Sequence, residues 1–250
     1  MSAAPHLSVV IPVHDEEEIV EAACRELAAS LSRRLWSFEV LLCENGSRDG
    51  TRAALARLSR EDPRVRSLHF GEPNYGLALR EGILAARGRL VVADEIDLCD
   101  VSFYDRALPL LESGAADMVV GSKRAPGSVD RRPAYRRAAT FAHNTLLRAT
   151  LGFQGTDTHG VKAFLRERIA PVAGRCQVEG DVFASELVLR ATREDRRVVE
   201  IPVDLREKRP PSIGLVRRVP GVLVEVARLI WLLRVRSPAR GPARGEAERP

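Results

Sequence analysis

Leu90-Val91-Val92-Ala93-Asp94-Glu95-Ile96-Asp97 joins a short, uninterrupted apolar run to three acids. An apolar run without polar alternation marks a strand buried on both faces, as happens inside a parallel sheet. Two runs upstream repeat the pattern. Residues 7–13 end in His14-Asp15-Glu16, and residues 38–43 end in Glu44-Asn45-Gly46-Ser47. Between those two, residues 16–34 carry Ile19, Ala22, Ala23, Leu27 and Leu31 at helical spacing. Further helices are expected over residues 51–59, 77–87 and 103–113, and strands over 65–70, 90–93 and 117–121. Alternating strand and helix predicts an α/β fold, a doubly wound and mostly parallel sheet flanked by helices, with right-handed crossovers.

The second half is less regular. It holds a basic loop over 123–137, a helix to about Leu151, a Gly/Thr/Asp turn at 155–160, two more helices and a strand at 198–203. All of this is assigned to one domain, residues 1–209. Pro210 and Pro211 carry the chain out of that body. Residues 210–235 are expected to form an amphipathic helical extension, and the Pro/Gly/Arg/Glu-rich 236–250 a disordered tail. On the extension, Val219, Val222, Val226, Leu229, Ile230 and Leu233 share one side, and Arg218, Glu225 and Arg228 share another. Such a helix would lie in a membrane interface, pack on the body or form a dimer.

Composition narrows the function. A chain of 250 residues suits one α/β domain with a substantial core. The net charge of +5, concentrated in arginines after about position 205, points to an anionic surface or substrate and not specifically to nucleic acid. Cys24, Cys43, Cys99 and Cys176 are scattered, matching neither a zinc set nor a disulfide framework, so a cytoplasmic setting is expected. Residues 1–6 do not read as a signal peptide, and no apolar run reaches the roughly 20 residues needed to span a bilayer. No Gly-x-Gly-x-x-Gly follows the first strand and no phosphate-loop motif occurs, which argues against a dinucleotide oxidoreductase and a P-loop nucleotidase.

Ligands of open parallel sheets bind outside the carboxyl ends of the strands. Three strands here deliver carboxylates to that edge. Two such charges about 5 Å apart repel by roughly 3 kcal/mol at an effective dielectric of about 20. A hard divalent cation holding a substrate diphosphate would relieve the repulsion. Glu17 and Glu18 read equally well as favourable first-turn acids, and Asp49 as a turn former. Asp94, Glu95 and Asp97 have no capping purpose as a set, whereas Asp100 is placed to cap the next helix. His159 reads either as a catalytic group or as a loop histidine with local hydrogen bonds.

In their order and spacing, several motifs resemble glycosyltransferase family 2 of the GT-A fold, and within it the polyprenyl-phosphate glycosyltransferases such as dolichol-phosphate mannose synthase. The likeness runs to about Arg209. Val9-Val10-Ile11-Pro12-Val13-His14-Asp15-Glu16 resembles the opening strand and its nucleotide-contacting turn. Leu42-Cys43-Glu44-Asn45-Gly46-Ser47-Arg48-Asp49-Gly50-Thr51 resembles the second-strand motif, with Glu44 where an aspartate reads the base. Asn74-Tyr75-Gly76-Leu77 matches a turn before the next helix. Glu95-Ile96-Asp97-Leu98 overlies the family's Asp-x-Asp metal motif, with glutamate in the first position.

The resemblance implies nucleotide binding by Pro12, His14, Glu16, Glu44, Asn45 and Asp94, and a Mg2+ or Mn2+ ion on Glu95 and Asp97. Val119-Val120-Gly121-Ser122-Lys123 resembles the family's Gly-Ser-Arg, with lysine for arginine. It assigns catalytic roles to Asp97, Lys123 and Arg136, and the acceptor phosphate to Lys123, Arg131, Arg132 and Arg137. Two of the arginines at 131, 132, 136 and 137 are expected to be plain solvated surface residues. Residues 156–164, Thr-Asp-Thr-His-Gly-Val-Lys-Ala-Phe, correspond to a family turn ending Gly-Phe-Arg-x-Phe, in which Asp157 orients the acceptor loop or serves as a structural turn. The implied reaction is inverting transfer of a sugar from a nucleoside-diphosphate sugar to a polyprenyl phosphate, with peripheral contact at the cytoplasmic face of a membrane. Transfer to a hydroxyl, or nucleotide binding without turnover by a degenerate relative, are the alternatives.

Overall fold

The computed structural model describes residues 4–34, 36–205 and 215–236. Strands β1 (Leu7–Val13), β2 (Phe38–Asn45), β3 (Val65–Phe70) and β4 (Leu90–Ala93) alternate with helices α1 (Val20–Ser32), α2 (Thr51–Glu61) and α3 (Tyr75–Ala85). Helix α4 (Val101–Glu112) leads to β5 (Met118–Ser122), and the two-residue β6 (Val129–Asp130) precedes α5 (Ala134–Leu151). Then come β7 (Lys162–Leu165), α6 (Arg166–Ala173), α7 (Phe183–Arg193), β8 (Val198–Pro202), β9 (Asp204–Leu205) and α8 (Leu215–Trp231).

Seven strands form one sheet in the order β3-β2-β1-β4-β7-β5-β8, and β6 pairs with β9. The chain steps outward from β1 through β2 to β3, then returns to place β4 on the other side of β1. That reversal is where open α/β sheets bind ligands. Every pairing in the sheet is parallel except those of β7, which runs against both β4 and β5.

Side chains of β1, β2 and β4 alternate between two cores. Val9, Ile11, Val40, Leu42 and Val92 pack under α1, α2 and α4, while Val10, Leu41 and Val91 pack under α3, α6, α7 and α8. Burial on both faces explains the uninterrupted apolar reading of these strands. Glu39 lies at the amino end of β2. It accepts hydrogen bonds from Ser8 Oγ, the Arg87 amide and Arg66 Nη1, each at 2.7 Å.

Two expectations change, and a third is not reached. Helix α1 begins at Val20 and not near residue 16, because the preceding residues are held in a turn against the loop after β2. Strand β7 has no counterpart among the expected strands, and it fits between β4 and β5 through a close crossing: a Cβ on Gly160 would overlap the Gly121 carbonyl oxygen. The expected exit at 206–212 and nearly all of the tail lie outside the described residues. Asp100 does cap α4, accepting from the Ser102 amide at 3.0 Å.

Helix α8 packs on the body. Val226, Leu229, Leu232 and Leu233 are buried, Glu225 accepts from the Val182 amide at 3.0 Å, and Arg193 donates to the Leu233 carbonyl at 2.6 Å. Leu223, Val224 and Trp231 stay exposed on its outer side, as does Val235 in the π-helical turn that follows it. Among the described residues, no helix is long and apolar enough to cross a membrane. Leu229→Ala is expected to cost about 2–5 kcal/mol through the cavity it leaves, and Val224→Ala to change stability by no more than about 0.5 kcal/mol. Urea unfolding of the two variants checks this; equal effects would mean that α8 is not docked.

Candidate functional site

The carboxyl ends of β2, β1 and β4 lie side by side, so their polar turns meet. The turn after β1 and the turn after β2 are laced together. Asp15, in the left-handed region at φ 52°, donates its amide to Ser47 Oγ (3.1 Å) and accepts from the Arg48 amide (2.8 Å). The Glu16 amide donates to Thr51 Oγ1 at 2.8 Å, and Glu17 accepts from the Gly50 amide at 2.8 Å. Asp49 accepts from the Glu17 and Thr51 amides, the turn-forming role expected of it. Asn45 spans three segments: its side-chain amide donates to the Val13 carbonyl (3.0 Å) and accepts from the Asn74 amide (3.2 Å). His14 Nδ1 lies 2.7 Å from the Asn45 carbonyl oxygen, and Pro12 is held in β1 opposite Cys43.

Glu44 is fully buried. Its carboxylate accepts from the Ser47 amide at 2.5 Å and pairs with Arg52 (3.1 Å) and with His69 (3.3 Å). These bonds fix the turn after β2 and occupy the oxygens that the family resemblance assigns to nucleotide. Asp94 is likewise built in. It accepts from Tyr104 Oη at 2.7 Å and from the Glu95 amide at 2.8 Å, and burial pushes its carboxyl up to about 7. Glu95 is exposed and Asp97 half-buried, whereas Asp94 is buried. Tyr104, on α4, does not stand out in the sequence; its polar end is legible only once α4 is known to cross under β4.

The other half of the edge is basic. Lys123, directly after β5, forms a buried ion pair with Asp157 at 2.9 Å. Burial alone would raise the Asp157 carboxyl; the Lys123 ammonium and the His159 amide outweigh it and hold the group below the usual carboxylate range. Glu200 on β8 accepts from the amides of Thr156 (2.7 Å) and Asp157 (3.2 Å), which pins this loop to the sheet. His159 packs against His143 with ring centroids 4.7 Å apart, and its Nε2 lies 3.1 Å from the Asp181 carbonyl oxygen. Burial and the neighbouring His143 hold the His159 ring down to about 3, so it is neutral near pH 7. Local hydrogen bonds are thus the reading the geometry favours for His159.

Of the four loop arginines, Arg131 pairs with Asp204 at 3.5 Å and Arg132 with Asp130 at 2.8 Å. Arg136 and Arg137 open α5. Lys162, at the first position of β7, is a residue the sequence reading leaves without a role, although it stands where the resembling family has arginine. It is buried, and its Nζ donates to the Gly160 carbonyl at 2.7 Å.

The profile of Glycosyl transferase family 2 matches residues 8–171. This chain belongs to that family. Over 240 residues it is 32% identical to the glycosyltransferase AglD of Haloferax volcanii, a match covering 94% of this chain but only 38% of AglD. It is 28% identical over 209 residues to the undecaprenyl-phosphate mannosyltransferase of Micrococcus luteus, covering 80% of this chain and 83% of that one. Glucosyl-3-phosphoglycerate synthase from Mycobacterium tuberculosis, solved with Mn2+, UDP and phosphoglyceric acid, has a TM-score of 0.64 at 19% identity, covering 90% of this chain and 78% of that one. The likeness establishes the GT-A fold. The family-2 chain is a glycosyltransferase, as its motifs imply.

Removing one member of a buried ion pair strands the other charge, at a cost of about 3–5 kcal/mol. Asp157→Asn is expected to destabilise by that order at pH 7. Because the folded-state carboxyl titrates below its unfolded value, its contribution is present above about pH 4 and lost as the pH falls. The variant's deficit should therefore shrink on acidification, which urea unfolding from pH 7 down to about pH 3 would show. A constant deficit would contradict the pairing.

Proposed function

We propose that this family-2 enzyme transfers a sugar from a nucleoside-diphosphate sugar to a polyprenyl phosphate, with inversion at the anomeric carbon. The observation that carries the reading is the division of one sheet edge into an acidic half after β1, β2 and β4 and a basic half around β5, β7 and the start of α5. A donor diphosphate with its cation suits the first half, and a phosphate acceptor suits the second. Relatives at 28% and 29% identity are an undecaprenyl-phosphate mannosyltransferase and a polyprenol monophosphomannose synthase, which supports the lipid phosphate.

Glu95 and Asp97 are the residues we assign to a divalent cation. They offer hard oxygen donors at the rim, in keeping with Mg2+ or Mn2+. Among the described residues no group of three or more His, Cys, Asp or Glu side chains is placed to hold a metal ion. Two carboxylates fit a cation whose remaining ligands come from substrate phosphates and water, not a cage made by protein alone. When bound, the cation would stabilise the departing nucleoside diphosphate.

A phosphate monoester has a second pKa of about 6 and is substantially ionised at neutral pH. Its oxygen can attack the anomeric carbon from the face opposite the diphosphate while the bond from that carbon to the diphosphate oxygen breaks. No proton needs to be removed, so the protein's task is alignment and charge stabilisation. We assign Arg136, Arg137 and the basic loop to the acceptor phosphate. The exposed outer side of α8, with Leu223, Val224 and Trp231 beside Arg228, suits contact with the membrane surface that holds such a lipid.

The test is a panel of labelled nucleoside-diphosphate sugars offered with vesicles containing undecaprenyl phosphate or undecaprenol, with Mn2+, Mg2+ or chelator. Labelled lipid is expected only with the phosphate and only with metal. Asp97→Asn is expected to lower kcat/KM by about 100-fold or more with the unfolding midpoint unchanged. Transfer to undecaprenol would reassign the acceptor, and full activity of the variant would move the cation elsewhere.

A further inference from the structure

Lys162 occupies a seam. Its backbone pairs with Ala93, the last residue of β4, on one side and with Val120 of β5 on the other. The segment holding Glu95 and Asp97 begins one residue after Ala93, and Lys123 lies three residues after Val120. The residue is 3% exposed. Withdrawing an ammonium from water costs several kcal/mol unless its charge and all three donors are met. Lys123 nearby meets this with the Asp157 carboxylate at 2.9 Å. Lys162 has the neutral Gly160 carbonyl at 2.7 Å, and no carboxylate among the described residues forms an ion pair with it.

The surroundings hold the charge in place without neutralising it. Burial brings the Lys162 ammonium down to about 8, Asp157 works the other way, Lys123 lowers it and Glu95 raises it. It remains mostly charged at pH 7. Asp157 is already paired with Lys123, and Glu95 faces solvent at the rim. Two lysines therefore share one buried carboxylate, which leaves N–H donors of Lys162 unmet where the acidic and basic halves meet.

We propose that Lys162 is a phosphate-binding residue, its ammonium donating to a phosphate oxygen held at the seam between β4 and β5. This rests on the transferase reading for the source of the phosphate, which is either the donor's diphosphate or the acceptor's monophosphate. A lysine that only anchors the Gly160 carbonyl would make no such contact.

Calorimetric binding of UDP and GDP in the presence of Mn2+, with uridine and guanosine as controls, reads the donor arm. Flotation with phosphatidylcholine vesicles, with and without undecaprenyl phosphate, reads the acceptor arm. Lys162→Met is expected to weaken one phosphate ligand by at least about tenfold, leaving the nucleoside and plain vesicles unchanged, with Lys162→Arg restoring binding to within about threefold. Loss on nucleoside diphosphate assigns the contact to the donor; loss on lipid phosphate assigns it to the acceptor. In the wild-type protein labelled with 15N-lysine, the Nζ resonance missing from Lys162→Arg should shift when the same ligand is added, a readout that does not depend on the methionine variant folding. Binding of both ligands by Lys162→Met as by wild type, or an Nζ resonance that moves with neither, overturns the proposal alone. Failure of the wild-type chain to bind either nucleoside diphosphate or the lipid phosphate overturns the transferase reading together with it.

Discussion

Strand β7 enters the sheet backwards, wedged between β4 and β5, and the carboxyl edge takes its character from that constraint. The parallel strands β1, β2 and β4 can deliver only the residues at their own carboxyl ends, which here are acidic. An antiparallel neighbour delivers its amino end to the same edge, and the amino end of β7 is Lys162. The loop before β7 brings Asp157 to Lys123 at 2.9 Å, and so ties β7 to the end of β5. Close passage of Gly160 against Gly121 is what lets the two strand ends meet.

On the acidic side, charge is sorted by depth. Glu44 and Asp94 are buried and satisfied by protein donors, the first by Ser47, Arg52 and His69, the second by Tyr104 and the Glu95 amide. Glu95 and Asp97 remain at the rim. Buried carboxylates hold the turns in shape because leaving them unsatisfied would cost far more than any flexible alternative. Substituting glutamate where the family has aspartate thus has different meanings at the two positions. In Glu44 the longer side chain reaches back to its own turn, and in Glu95 it extends toward solvent.

Much of this is legible in the sequence because parallel strands advertise themselves. The run Leu90-Val91-Val92-Ala93 has no polar interruption, and the structure ends β4 where the run ends. The order of the polar turns also carries the family. Strand β7 is not legible: four residues beginning with lysine give neither alternation nor a continuous apolar run, and Lys162 is buried only through its neighbours. The partners of Glu44 are not legible in the sequence because Arg52 and His69 lie on other elements. The pattern of α8 fits three environments. Contacts through Leu229 and Glu225 resolve its inner side as packed on the body.

The central claim is that a cation and a nucleoside diphosphate complete one another's site at the rim made by Glu95 and Asp97. Coupled binding is reciprocal, so each ligand must tighten the other by the same factor. Mn2+ binding followed by electron paramagnetic resonance, with and without saturating UDP or GDP, measures this directly. The account predicts weak Mn2+ binding to the protein alone and at least about tenfold tighter binding in the presence of the nucleotide the enzyme uses, beyond what that nucleotide binds in solution. Mn2+ binding that is already tight without nucleotide, or unchanged by either one, would contradict it.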